Sequence, residues 1–152
     1  MNNCLLCHSS FRREINYEKL FLFVKYKERY TCSECLKKFV KKKGKICSGC
    51  NKEINTEGLC NDCLQWKQKY TGNLLDNRSL YQYNDTFHDV MVRYKRYGDY
   101  ILCHVLAELI DQLPAADYYV PVPSSPSHLE KRGFDTIYAI YQKLVPLTKF
   151  LV

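Results

Sequence analysis

Eight of the nine cysteines fall into four Cys-x-x-Cys pairs, and these are the residues whose type and spacing could do chemistry. Two intervening residues let one tight turn aim both sulfurs at one metal ion, and two such pairs complete a tetrahedral four-thiolate site. Four pairs predict two closed zinc sites per chain, with no ligand left for an open catalytic position. The predicted Zn²⁺ ligands are Cys4, Cys7, Cys32, Cys35, Cys47, Cys50, Cys60 and Cys63.

The spacing leaves open how these four Cys-x-x-Cys turns, or knuckles, combine into two sites. We favour sequential pairing, because the last two knuckles enclose only residues 51–59 and closing so short a loop costs little chain entropy. An interleaved arrangement is the alternative. Iron suits four sulfurs as well as zinc does. Disulfides are disfavoured, because the start of the chain has no secretory signal.

The ninth cysteine, Cys103, stands apart from the knuckles in the apolar helical stretch 101–106. A buried thiol of the core is the expected role for it. His104 beside it is expected to be a partly exposed helix residue. His8 directly follows Cys7 and is a weaker alternative as a metal ligand.

The excess positive charge lies in the first half of the chain. The net charge is +7, with +8 over residues 1–70 and −1 over residues 71–152. The densest basic run is either a solvated loop or a contact with a phosphate backbone; it comprises Lys37, Lys38, Lys41, Lys42, Lys43 and Lys45. The longest early apolar run, residues 20–24, is too short to insert into a membrane, so we expect a cytoplasmic protein.

After a linker predicted over 64–75, with a turn at 70–73, the second half has the pattern of an α/β domain. We predict a strand over 79–83, a helix from Asn84-Asp85 and a helix from Asp99 to about Leu113. A strand over 118–122 and a helix capped by Asp135 follow.

Polar residues follow the second predicted strand, where ligands of parallel sheets bind. The hydroxyl groups of Ser124 and Ser125, with Lys131 and Arg132, could hold a phosphate there; an ordinary polar loop is the alternative.

Cations and aromatic rings alternate at the end of the first predicted helix of this half. Arg93, Lys95 and Arg96 alternate with Tyr94, Tyr97 and Tyr100. Cations that neutralise a nucleic-acid backbone and rings that stack on bases have this composition. The alternative is a set of surface cations over core aromatics.

These motifs together resemble the ComF (ComFC) family of competence proteins, which join zinc knuckles to a phosphoribosyltransferase-like domain. The resemblance rests on the knuckles, on Tyr81–Tyr83, and on the stretch from Met91 to Asp99. It is most specific at Val120-Pro121-Val122-Pro123 with Arg132-Gly133-Phe134. Asp135-Thr136 stands where the family usually has Asn-Gln.

The resemblance implies a double zinc-ribbon-like, metal-stabilised module over 1–66, followed by an incomplete α/β phosphoribosyltransferase-like domain over 76–152. It implies a competence factor that handles incoming single-stranded DNA with a helicase-like partner. Lys131 and Arg132 would lie near the pyrophosphate of phosphoribosyl pyrophosphate (PRPP), which the family would bind with Mg²⁺.

One family feature is missing before Val152. The PRPP loop, which follows an aliphatic strand and begins with two adjacent acidic residues, has no counterpart here. We therefore expect a truncated product, and catalysis stays an open question. The alternatives are a PRPP-dependent phosphoribosyltransferase and a zinc-stabilised interaction module without chemistry.

Overall fold

The computed structural model of the chain describes residues 2–12, 28–70, 72 and 75–148. These residues form one two-stranded antiparallel sheet and six helices. The elements are β1 (Asn2–Asn3), β2 (Ser10–Phe11), α1 (Ser33–Leu36), α2 (Asn61–Lys69), α3 (Asp85–Arg96), α4 (Leu102–Glu108), α5 (Pro126–Arg132) and α6 (Thr136–Tyr141). The chain divides into two compact units: the first unit comprises 1–38 and 85–152, and the second comprises 39–84.

The core of the first unit lies where α4 packs against α3 and α6. The predicted helix after Asn84 is present as α3, and its apolar face buries Val90 and Tyr94. Gly98, with φ of 71°, follows the end of α3 in a left-handed conformation that favours glycine. Cys103 is fully buried in α4, in agreement with the predicted core thiol.

The second predicted helix of this region is shorter than expected. It spans Leu102–Glu108, and the prediction of Asp99 as its cap is wrong. The Asp99 carboxylate instead accepts a hydrogen bond from Arg93 at 2.8 Å. The extension to Leu113 is also wrong, because α4 ends at Glu108 with Leu109 as its C-cap.

Both strand predictions of the second half are wrong. Residues 79–83 form only an isolated antiparallel bridge, between Tyr81 and Lys41. Residues 118–122 form no ladder, and Val122 is 70% exposed. Pro121 and Pro123 lack the amide hydrogens that a ladder needs, and no strand among the described residues lies beside them. The described residues therefore contain no parallel sheet, and the α/β phosphoribosyltransferase-like fold implied by the resemblance stays a prediction.

The linker predicted over 64–75 is wrong in its first half, where the chain continues α2 to Lys69. The sequence pattern missed this helix because none of its residues is buried, so no apolar face marks it. Of the turn predicted at 70–73, Thr71 and Asn73 lie outside the described residues. The two compact units divide the chain differently from the predicted domains 1–66 and 76–152, which stay predictions.

Asp135 caps α6, as its position before the apolar face predicts. Its Oδ1 accepts from the Tyr138 amide at 2.8 Å, and its Oδ2 accepts from the Ser124 amide at 2.7 Å. Burial alone would raise the pKa of Asp135, but these amides outweigh it and lower the pKa. The ionised carboxylate therefore holds the two ends of residues 124–135 together.

Replacing this cap gives a prediction with a defined pH dependence. Asp135→Ala should lower the free energy of unfolding of the first unit by about 1–2 kcal/mol at neutral pH, because two amides lose their acceptor. Since the folded-state pKa is depressed, the stabilisation is present above the unfolded-state pKa of about 4 and is lost below it. Urea denaturation at several pH values measures this. A difference between the two proteins that persisted unchanged in acid would contradict the prediction.

Among the residues that the structure describes, no helix is both long and apolar enough to cross a membrane.

Candidate metal centres

The first metal centre joins a hairpin turn to the start of a helix. Cys4 and Cys7 flank the turn between β1 and β2, where the Cys4 amide donates to the Ser9 carbonyl at 2.9 Å. Cys32 precedes α1 and Cys35 lies within it. All four sulfurs lie within 4.8 Å of one another, as sequential pairing predicts.

The second metal centre lies in the second unit. Cys47 and Cys50 flank a turn, in which the Asn51 amide donates to the Cys47 carbonyl at 3.0 Å. Cys60 is the N-cap of α2, and its sulfur accepts from the Cys63 amide. These four sulfurs also lie within 4.8 Å of one another. The interleaved alternative is therefore not the arrangement that the structure has.

The two centres repeat one local design. In each, the residue after the turn's second cysteine takes a left-handed conformation: His8 and Asn51 both have φ of 61°. Each centre combines a knuckle in a turn (the hairpin knuckle) with a knuckle at the start of a helix (the helix knuckle). In each, the amide of the first cysteine of the helix knuckle donates a hydrogen bond to the sulfur of the first cysteine of the hairpin knuckle. That distance is 3.4 Å from Cys32 to Cys4 and 3.2 Å from Cys60 to Cys47. We place His8 in this turn-closing role, and the four thiols leave no need for it as a ligand.

The separations between sulfurs fit a tetrahedral ion. Zinc–thiolate bonds of about 2.3 Å place neighbouring sulfurs of a tetrahedron about 3.8 Å apart. Cys7 and Cys32 are 3.7 Å apart, and Cys50 and Cys60 are 3.6 Å apart. Each group could therefore hold a metal ion with all four positions filled by protein, which is the arrangement of a structural site.

The thiols of each centre differ in proton affinity. The hydroxyl and amide of Ser9 lower the pKa of Cys7 to about 6, and the amides of Cys50 and Cys60 lower the pKa of Cys47 to about 6. Burial raises the pKa of Cys63 to about 12 and raises the pKa of Cys35. Because a metal ion takes four thiolates, its binding must displace the protons from Cys63 in one centre and from Cys35 in the other.

Two residues that the sequence analysis did not single out shape the centres. The Ser9 hydroxyl lies 3.0 Å from Cys7 Sγ. A Cβ atom at Gly49 would lie 3.3 Å from Cys63 Sγ and 3.1 Å from a methyl carbon of Leu59, so a side chain at this position would crowd the ligand sulfur. Ser9 lies two residues after Cys7, and Gly49 lies between Cys47 and Cys50. This closeness to the ligands is the only sequence feature that marks them as parts of the centres.

A buried carboxylate ties the first centre to the helices of the same unit. The side chain of Glu108 in α4 is 6% exposed. It accepts from the Tyr30 amide at 2.9 Å, and the Arg29 Nε lies 3.7 Å away. The Tyr30 ring packs on His104, with 4.4 Å between ring centroids. Since Cys32 follows two residues after Tyr30, these contacts fix the approach of the helix knuckle.

The residues predicted to hold phosphate are separated by α5. Ser125 precedes its first residue, and Lys131 and Arg132 are in its last turn. A helix of this length rises about 9 Å from Ser125 to Lys131. The Ser124 amide is already bound by Asp135. The four residues thus flank the two ends of α5, and a phosphate site formed by them stays a prediction.

The predicted cationic cluster lies at the C-terminal end of α3. Arg93 pairs with Asp99, Lys95 is half-buried and Arg96 is exposed. Tyr94 is fully buried and its hydroxyl donates to the Thr136 carbonyl at 2.7 Å, so for this ring the structure supports the alternative of a core aromatic. Tyr97 is 78% exposed.

The basic run from Lys37 to Lys45 has local partners. Lys37 pairs with Glu34 at 2.8 Å, and Lys45 lies 3.6 Å from Glu57. The Lys42 ammonium donates to the Asn51 carbonyl at 2.7 Å. These contacts support the solvated-loop alternative for this run.

The two four-cysteine groups indicate a protein whose N-terminal region could bind two metal ions. Comparison with known proteins identifies similar sequences. The chain is 31% identical over 149 residues to Competence protein ComFC of Bacillus subtilis (strain 168), an alignment that covers 93% of the chain and 61% of the relative. It is 30% identical over 138 residues to Competence protein ComFC of Streptococcus pneumoniae (strain ATCC BAA-255 / R6), covering 88% of the chain and 60% of the relative.

These similarities confirm the resemblance that the motifs predicted. The chain spans about three-fifths of the length of the curated relatives it matches. No family model matches the sequence. No solved structure matches it either.

Proposed function

We propose that this chain is a competence factor that handles single-stranded DNA during DNA uptake, with two zinc ions as structural cofactors. The observation that carries the proposal is the similarity to two proteins named Competence protein ComFC over about nine-tenths of the chain. A cytoplasmic location and a helicase-like partner are parts of the same proposal.

The proposed zinc ions have a structural role. Four sulfurs surround each position, and no open coordination site is left for a reacting molecule. Since the knuckles bury few large apolar side chains, metal binding supplies much of the free energy that folds them. The zinc would thus hold the knuckles in their folded shape.

The proposed DNA contact in the first unit uses the cations of α3. Lys95 and Arg96 extend from its last turn. Tyr97 follows directly and is largely exposed, so it could add a stacking surface. Arg93 contributes less charge to a ligand, since Asp99 neutralises it.

Salt-dependent binding to an oligothymidylate tests this proposal. Single-strand binding loses affinity with salt at a slope of about 0.7 per neutralised phosphate. Lys95→Ala and Arg96→Ala should each weaken binding several-fold and reduce the slope by about that amount. Fluorescence anisotropy of a labelled oligonucleotide across a salt series gives both quantities.

Lys143→Ala is the matched control, because Lys143 is an exposed cation of the same unit outside the proposed contact. It should leave the salt slope unchanged. A zinc-loaded protein that bound no single-stranded DNA would overturn the proposed function, and equal effects of all three variants would remove α3 from it.

The resemblance also predicts PRPP binding with Mg²⁺ at Ser124, Ser125, Lys131 and Arg132. Thermal unfolding with and without PRPP and Mg²⁺ measures it, since a ligand of the folded state raises the melting temperature. We rank this activity second, because the Ser124 amide has an intramolecular acceptor.

A further inference from the structure

The end of α2 in the second unit presents two exposed aromatic rings that neither metal centre uses. Trp66 is 50% exposed and Tyr70 is 47% exposed. Trp66 lies in the last turns of α2, and Tyr70 is the residue that follows the helix. The rings stack with centroids 5.2 Å apart and an angle of 16° between planes. Two exposed rings held side by side in this way offer a flat apolar surface to a ligand.

Positive charge surrounds these rings. Lys69 Nζ lies 5.7 Å from the centroid of each ring, within range of a cation–π contact. Lys67 is exposed one residue after Trp66. No acidic residue occurs between Cys63 and Leu75. A ligand that covers the rings therefore meets cations and is itself expected to carry negative charge.

An open cleft borders the ring of Trp66. Its volume is about 610 Å³, and its lining includes Leu59, Trp66 and Lys67, the carboxylate residue Asp76, and the second-centre ligands Cys50 and Cys63. Tyr70 stacks on Trp66, and the cleft leaves room beside the indole for a further planar group. Rings, cations and cleft thus suit a ligand that is flat, aromatic and anionic.

We propose that Trp66 and Tyr70, with Lys67 and Lys69, form a base-stacking contact for single-stranded DNA on the second unit. This inference rests on the proposed function and adds a second, independent contact to it. Unpaired bases offer free faces to aromatic side chains, while lysines neutralise the backbone between them. Bases of a duplex are stacked on each other and offer no such face, so the contact selects single strands.

The test uses Trp66 itself as the reporter, since it is the only tryptophan of the chain. The zinc-loaded full chain is titrated with an oligothymidylate and with an abasic oligonucleotide of the same length and charge. The oligothymidylate should quench the tryptophan fluorescence, and the abasic strand should bind more weakly with little quenching. Trp66→Ala should weaken binding of the oligothymidylate by about 5- to 150-fold, the range for loss of one stacked base.

Two further variants separate stacking from general damage to the helix. Trp66→Phe keeps a flat ring and should recover most of the affinity. Leu64→Ala removes an apolar side chain of similar exposure from the same helix and should bind like the unmodified chain. Native mass spectrometry checks that every variant keeps two metal ions.

The outcomes distinguish this inference from the proposed function. DNA binding by the unmodified chain with no quenching, and with no loss in Trp66→Ala, overturns the stacking contact alone. Equal binding of abasic and thymidylate strands overturns it too. Absence of any single-strand binding overturns both proposals.

Discussion

Replacing one metal ligand should remove one metal ion and unfold only the unit that held it. Cys4→Ser in the first unit and Cys47→Ser in the second should each lower the bound metal from two ions to one. A structural zinc contributes on the order of 10 kcal/mol to folding, so the affected region should lose its structure entirely. Native mass spectrometry counts the ions, and limited proteolysis locates the unfolded part.

Cys103→Ala is the control for these ligand variants. Cys103 is as buried as Cys4 but belongs to neither four-sulfur group. The control should keep two metal ions and lose only the modest stability of a small core truncation. Two ions retained in Cys4→Ser, or one lost in Cys103→Ala, would contradict the assignment of the ligands.

Truncating Tyr94 should have the second-largest effect, and it should be confined to the first unit. The ring is fully buried against Phe134, with 5.4 Å between centroids. Tyr94→Ala should lower the free energy of unfolding of this unit by about 3–5 kcal/mol, as for other buried aromatic residues. Tyr94→Phe should lower it by about 1–3 kcal/mol, because the Thr136 carbonyl loses its buried donor.

Urea denaturation followed by far-UV circular dichroism measures these losses. Tyr97→Ala, an exposed tyrosine three residues along, is the matched control and should change the free energy by no more than about 0.5 kcal/mol. Trp66 fluorescence reports on the second unit, whose transition should not move. Equal destabilisation by Tyr94→Ala and Tyr97→Ala would contradict the role given to the buried ring.

The sequence predicts the metal centres better than it predicts the surrounding fold. Ligand spacing is a local property, so the Cys-x-x-Cys turns carry their geometry in adjacent residues. The cap of α6 at Asp135 and the apolar face of α3 were predictable for the same reason. A cap, a turn and a helix face each depend on few neighbours.

The wrong predictions depended on contacts that are distant in the chain, or on an unusual cap. Residues 118–122 have strand composition, yet a strand needs a partner, and no described strand lies beside them. The helix α2 begins with a sulfur cap at Cys60 and buries none of its residues, so neither common helix signal was present. Composition alone made Tyr94 a candidate for stacking on bases, whereas the helical period of α3 places it on the apolar face, where the structure has it.

The contact between Glu108 and residues 29–30 couples the unfolding of α4 to the loss of structure at the first metal centre. Residues 29–30 lead directly into Cys32 and Cys35, two of the four ligands of the first centre. Unfolding of α4 would therefore also free these two ligands from their position. Release of an ion from the first centre would then accompany the unfolding of α4 in one cooperative transition. An ion held by the second centre would have no such coupling to α4 through Glu108, so a colour-forming chelator would capture the two ions at different temperatures.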